Sequence, residues 1–533
     1  MQTKRRFSSY GPVSTKSNYF VPRTELVNKA ITQLTGENPE EGGHYFTVWA
    51  PRQSGKSWIL REVLWKLNDD NRFHTAIIVV QSLTGETDTI EVVNCILQEF
   101  TRITGIILPK ISSLNEFVQI FTTKYLSKPV ILIFDEFDAL ENKIIADIVG
   151  VFRDIYLKRT NTNNEEALLL HGVALIGVRS VLGIDNTKGS PFNIQKSIHI
   201  PNLTFEEVKA MYDDYQREWE QKIEPEVIEK LFYETQGQPG LVSWLGELMV
   251  EKYNEDYPKT IDVFNWNRTY SLASQVEPNN TVMNLISKAQ IPENEEVLVE
   301  LFDTRSKVKF NFDQPELNYL YMNGIIRFEI EESQNRTIQT FAKFTCPFVQ
   351  KRLFNRFADK LYPNMGKIIE PFENIDSIYN GIDLNIKNLI RRFEQYLRDN
   401  KSWLMRDAPR RKSDLSICEA TFHFILYGWL NQFLYHKALI IPEFPTGNGK
   451  VDLLIKMDGE NFGLELKSFV DVYILKSTIK QAALYAKQLK MNEFYLVIFI
   501  ESIDDTNRTK YEIANLDEET GVTIHTVFVV TGE

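Results

Sequence analysis

The run Trp49–Trp58, Trp-Ala-Pro-Arg-Gln-Ser-Gly-Lys-Ser-Trp, restricts the fold more than any other stretch of the chain. An apolar β-type run (Tyr45, Phe46, Val48, Trp49) precedes it, and a helical one (Ile59, Leu60, Val63, Leu64, Leu67) follows. A loop between a strand and a helix N-terminus turns its backbone N–H groups toward a phosphate. The spacing is G-x-x-x-x-G-K-[ST] with Ala50 in place of the first glycine, a position that needs a small residue more than it needs glycine. On this reading Arg52, Gln53, Ser54 and Gly55 build the cradle, Lys56 reaches the outer phosphates and Ser57 ligates Mg²⁺.

The next strong feature supplies acids to that loop. Pro129–Glu136 is an apolar run ending in two carboxylates, with a second strand, Thr75–Val80, between it and the loop. A buried parallel strand delivers its last side chains at the sheet's C-terminal edge, beside the phosphate loop. Asp135 is then expected to hold Mg²⁺ through water, and Glu136 to act as general base on the attacking water of ATP hydrolysis. Gly172–Ser180 reads as a further buried strand on the same edge. Arg179 at its end is the candidate γ-phosphate sensor, in cis or across a subunit interface; a surface ion pair is the alternative. The Tyr19–Arg23 segment and the helix behind it either pack on the adenine or form a plain first helix.

Composition limits the class. With 533 residues the chain is too long for one core, and three or four domains are expected. A net charge of −12 excludes a wholly polybasic nucleic-acid binder and leaves room only for a local patch. Cys95, Cys346 and Cys418 are too few and too scattered for a disulfide framework, which fits a reducing, cytoplasmic setting. No apolar run reaches membrane-spanning length, and the basic start lacks the apolar stretch of a signal peptide.

Five segments in order, Ala50–Ser57, Leu175–Arg179, Ser190–Ile194, Asn202–Val208 and Thr235–Val242, resemble the bacterial AAA-like P-loop ATPases related to the archaeal ATPase and STAND group. The resemblance covers roughly the first half of the chain. It implies an ASCE-type P-loop core (residues 1–202) with parallel strands in the order 5-1-4-3-2, and a helical lid (203–275) that brings Gln238 and Pro239 near the nucleotide. Rings completed by a neighbour's arginine, and monomeric resting states, both occur among such proteins. The polar stretch 254–280 reads as a boundary, and 276–365 as a winged-helix-like domain with Asn323-Gly324 before its strands. That segment is not basic, which favours packing over DNA contact.

A second constellation lies near the C-terminus. Gly449–Ile455 and Asn461–Ser468 read as two strands joined at Asp458-Gly459, with Asp452 on the first and Glu465 and Lys467 on one face of the second. Two carboxylates with a lysine two residues on suit Mg²⁺ or Mn²⁺ and a developing phosphorane charge. Glu419 and His423 share a helix upstream; Gln481 and Tyr485 share one downstream. The set resembles the PD-(D/E)XK nuclease superfamily over roughly residues 385–533, within a domain expected to span 366–533, with Val451 where a proline usually stands. The resemblance implies a restriction-endonuclease-like α/β/α fold, Asp452, Glu465 and the helical Glu419 as metal ligands, Lys467 as catalytic, and Gln481 in a Q-x-x-x-Y helix. His423 is read as structural. The basic run Arg406–Lys412 is either a phosphate contact or a solvated linker.

The whole reads as a multidomain α/β protein with two active sites: an Mg-ATP-hydrolysing module and a metal-dependent nuclease acting on nucleic acid, with DNA the expected substrate. A role in defence against foreign DNA, a homo-oligomer and a separate protein partner or trigger fit that reading. The alternative is a signalling or scaffolding ATPase whose nuclease-like domain binds a partner or DNA without cutting.

Overall fold

Near-continuous apolar runs such as Val130–Asp135 and Leu170–Gly177 have no polar face to give to water, so they form strands covered on both sides. The computed structural model describes the chain except residues 1–3, 10, 12–13, 39–41, 160–167, 178–196, 303–306, 333–337, 363–376, 380–383, 407, 411–416, 435–436, 446–449, 458, 470 and 533. The chain divides into two compact units, residues 1–281 with 312–324, and residues 282–311 with 325–533.

In the first unit, α1 (Thr24–Thr35), β1 (Tyr45–Trp49), α2 (Lys56–Asn68), β2 (His74–Val79), α3 (Thr89–Thr104), α4 (Leu114–Ile120), β3 (Val130–Asp135), α5 (Asn142–Arg159), β4 (Leu170–Gly177) and β5 (Ile198–His199) make a five-stranded sheet with helices. The order is β2-β3-β4-β1-β5, all parallel, which is the expected 5-1-4-3-2 arrangement. Two apolar clusters sandwich it, one around Phe134, Phe137 and Phe152, the other around Phe46, Leu60 and Val63. Helices follow: α6 (Phe205–Trp219), α7 (Pro225–Thr235), α8 (Pro239–Glu247) and α9 (Val263–Gln275). A Thr204–Glu207 capping box starts α6, and Pro225 at the first turn starts α7. Helix α9 lies within the polar stretch read as a boundary, and its Asp262–Asn265 capping box and the buried Trp266 and Tyr270 make it part of the helical layer.

Beyond α9 the chain enters the second unit with α10 (Asn280–Ala289) and α11 (Pro292–Leu301), and returns to the first for α12 (Pro315–Met322), where Tyr321 meets Trp49 edge-on at 5.4 Å. The second unit continues with the antiparallel pair β6 (Ile326–Glu332) and β7 (Ile338–Phe344), then α13 (Pro347–Leu361), α14 (Ile386–Leu404) and α15 (Glu419–Phe433). Six further strands, β8 (Leu439–Pro445), β9 (Lys450–Met457), β10 (Glu460–Ser468), β11 (Glu493–Ile500), β12 (Ala514–Asp517) and β13 (Val522–Val530), form one mixed sheet ordered β12-β13-β11-β10-β9-β8. Helix α16 (Val472–Gln488) and the short α17 (Asp505–Tyr511) complete the unit. α16 packs on Phe494, Leu496 and Ile498 of β11, whereas Phe422 of α15 stacks on Phe499, whose side chain points to the other face. Strand β8 has no counterpart in the sequence reading: Ile-Ile-Pro-Glu-Phe-Pro lacks the alternation of an edge strand.

Candidate functional site

The loop before α2 is shaped by backbone geometry. Gln53 and Gly55 both take left-handed φ, 56° and 89°, and Gly55 caps α2. Lys56 at the first turn is buried, and its Nζ donates to the carbonyls of Ala50 (2.8 Å) and Pro51 (2.9 Å). Burial pulls its pKa down, against the opposing pull of Glu136, Asp135 and Asp138. Ser57 Oγ donates to Asp135 Oδ2 at 3.0 Å, so the hydroxyl and the carboxylate named as cation ligands share one spot. Glu136, at φ 56°, is turned by the strand end into the cleft. Burial and the neighbouring Asp135 raise its pKa, the direction a proton acceptor needs. Ser54 Oγ is buried with no hydrogen-bond partner among the described residues.

The cleft above these groups is about 340 Å³, the size of a small-molecule site, and is lined by Arg52, Gly55, Lys56, Ser57, Glu136 and Pro239 among others. The lid helix α8 is tied to the loop. Gln238 caps it by accepting from Leu241 N, and its Nε2 donates to the Arg52 carbonyl at 3.1 Å. Gly240 N donates to the Gln53 carbonyl at 3.1 Å; a Cβ on Gly240 would sit 2.3 Å from Gln53 Oε1. Gln238 thus acts here through the loop backbone, while Pro239 lines the cleft. Arg179 lies outside the described residues. The orphaned Ser54 hydroxyl, the Ser57–Asp135 pair and a lysine bound to backbone carbonyls fit a magnesium nucleotide.

In the second unit the hairpin β9–β10 pairs Leu453 with Leu464, so Asp452 and Glu465 come to adjoining positions on the sheet. Lys467 Nζ lies 2.8 Å from Glu465 Oε1 and 3.5 Å from Asp452 Oδ2. Burial opposes its charge, but Asp452, Glu465 and Glu419 outweigh it and hold the pKa well above the usual lysine value. The carboxylates are fixed by backbone donors: Leu466 N to Asp452 Oδ2 (2.7 Å) and Ser468 N to Glu419 Oε2 (2.8 Å). Glu419, Asp452 and Glu465 are each 3 % exposed or less. Gln481 stands on the exposed side of α16 and donates to the Tyr485 hydroxyl at 2.5 Å. The Tyr485 phenol is pushed up by burial and feels Glu465, Lys467 and Asp452, which puts α16 within electrostatic reach of the cluster.

Two residues of this region were not assigned from sequence. His423 and Glu443 are buried, and with Asp452 their ligand atoms lie within 4.8 Å of one another. His423 sits one turn after Glu419, with Nε2 3.9 Å from Glu419 Oε1. Glu443 comes from β8 with φ 52° and accepts from Gln350 Nε2 at 3.1 Å. The signal available for Glu443 was a carboxylate inside an otherwise apolar run, a rarely buried residue type.

A family model described as an AAA-like domain matches residues 8–254. The Walker-type ATPase PABY2304 of Pyrococcus abyssi is similar, with a TM-score of 0.42 at 16% identity over 63% of this chain and 96% of that one. Cdc6p from Pyrobaculum aerophilum gives 0.36 at 14% identity, over 66% and 99% of the two chains. The Aeropyrum pernix ORC1 protein, solved in complex with DNA, gives 0.32 at 13%, over 64% and 94%. No curated protein matches. Residues 8–254 are an AAA-like P-loop ATPase domain, a class that binds nucleotide, typically with Mg²⁺. No helix among the described residues is long and apolar enough to cross a membrane.

Proposed function

We propose that this protein hydrolyses ATP in its first unit and cuts nucleic acid, with DNA the preferred substrate, in its second. The observation that carries the nuclease half is the partly exposed Lys467 set between the buried carboxylates of Glu465 and Asp452. A lysine kept charged beside carboxylates is suited to the negative charge that builds on a phosphodiester under attack. Divalent cations, Mg²⁺ or Mn²⁺, would supply Lewis acidity at Asp452, Glu465 and Glu419. Gln481 and Tyr485 would steady the substrate from α16. In the first unit, Glu136 would accept the proton of the attacking water and Lys56 would bind the outer phosphates, with Ser57 and Asp135 beside Mg²⁺. Arg179 completes this assignment as the γ-phosphate sensor, from its own chain or a neighbour in a homo-oligomer.

The domains proposed are the core (1–202), lid (203–275), winged-helix-like segment (276–365) and nuclease-like part (366–533). A cytoplasmic role in defence against foreign DNA, with nucleotide state gating access and a separate protein as trigger, fits two such sites on one chain. The test is plasmid nicking and cleavage with Mg²⁺ or Mn²⁺, with and without ATP, on wild type, Lys56→Ala and Lys467→Ala. Cleavage that disappears in Lys467→Ala is the expected result. Intact ATP hydrolysis without cleavage of any DNA or RNA would overturn the nuclease assignment in favour of a signalling or scaffolding ATPase.

A further inference from the structure

The sequence resemblance uses Glu419, Asp452, Glu465 and Lys467; it leaves two buried polar groups unexplained beside them. His423 is 1% exposed and its Nε2 has no hydrogen-bond partner among the described residues. An imidazole nitrogen shut away from water without a partner forfeits solvation and must be compensated. Glu443 is 3% exposed and sits on a left-handed backbone that glutamate adopts only at a cost. These two side chains and Asp452 converge from α15, β8 and β9, with ligand atoms all within 4.8 Å. Ligand atoms bound at 2.0–2.2 Å to one ion stand about 3 to 4.4 Å apart, so a small inward movement makes a shell. The carboxylates are already aimed: Gln350 holds Glu443, and Leu466 N holds Asp452.

We propose that His423, Glu443 and Asp452 form a divalent transition-metal site that takes Mn²⁺ in preference to Mg²⁺. A nitrogen ligand favours transition ions over Mg²⁺, which asks for oxygen alone, while the two carboxylates suit Mn²⁺. Asp452 then belongs to two neighbouring sets, this one and the group around Lys467. The role of the ion in cutting rests on the nuclease reading above, but its binding does not.

The probe is Mn²⁺ added to the full-length, nucleotide-free protein after EDTA treatment and dialysis. Pulsed electron paramagnetic resonance reads nitrogen coordination directly as ¹⁴N modulation. We expect that modulation in wild type and its loss in His423→Ala. In calorimetry, His423→Ala and Glu443→Gln should each weaken Mn²⁺ binding by about 10-fold or more, and wild type should bind Mg²⁺ at least about 10-fold more weakly than Mn²⁺. Absence of ¹⁴N modulation in wild type overturns the inference with no variant required, even if one of them fails to fold. Unchanged Mn²⁺ affinity in a folded His423→Ala overturns it too. Mg²⁺-dependent cleavage that needs Lys467, without nitrogen coordination, would sink this site and leave the nuclease reading standing; nitrogen coordination without cleavage would do the reverse.

Discussion

Each unit sets a lysine close to carboxylates, Lys56 buried and Lys467 partly exposed, and the two are held in opposite ways. Lys56 is tied to the carbonyls of Ala50 and Pro51, and burial lowers its pKa. Lys467 touches Glu465 and approaches Asp452, and the carboxylates raise its pKa despite burial. The first has backbone carbonyls as its direct contacts; the second has carboxylates. A site that keeps its carboxylates ready needs the second arrangement.

The sharpest way to break this comparison is to make one substitution in both places. Lys467→Ala leaves Asp452 and Glu465 without their ion pair, and should cost about 3 kcal/mol in denaturant unfolding of the second unit. Added Mn²⁺ should restore part of it; no metal dependence would count against a cation site. Lys56→Ala removes only two carbonyl contacts, so the stability loss should stay near 1 kcal/mol while ATP hydrolysis falls roughly 100-fold or more. Equal stability losses at the two positions would erase the distinction. Their pH trends should also oppose each other. A lysine with lowered pKa makes stability rise with pH as it deprotonates on the way to the ordinary lysine value. One with raised pKa contributes fully below that value and is lost as pH climbs through its higher folded value.

A smaller effect is expected at the lid. Gly237 has φ 69°, and a Cβ there would lie 1.9 Å from the Leu203 carbonyl oxygen. Gly237→Ala should cost about 2 kcal/mol by thermal melting, with ATP affinity falling because Gln238 is next to it and caps α8. Smallest is Glu136→Gln. The raised pKa of Glu136 means its protonated form fits the fold better, so wild type loses stability as pH rises through that folded value. The glutamine variant should melt slightly higher at neutral pH, with the gap closing below the ordinary glutamate range, while hydrolysis stops.

The first site was legible because it is local. Arg52 to Ser57 are consecutive, and the Asp135–Glu136 pair ends an apolar strand whose parallel neighbours place it. The second was legible in part. The alternation that puts Glu465 and Lys467 on one face is written in β10, but Glu443 reaches Asp452 only because β8 pairs antiparallel with β9. Nothing in Ile-Ile-Pro-Glu-Phe-Pro announces that pairing. Helical spacing puts His423 one turn after Glu419 but does not distinguish packing from ligation.

The chain passes between its two units three times, at 281/282, 311/312 and 324/325. A gene cut once at any of these junctions strands a piece on the wrong side: cut at the first, the leading fragment loses α12 and with it the Tyr321 ring against Trp49. Exchanging the second unit for another therefore takes two grafts rather than one. A single exchange at 281/282 or 311/312 costs the nucleotide-binding half its 312–324 piece, and one at 324/325 leaves the incoming second half beside the old 282–311 piece.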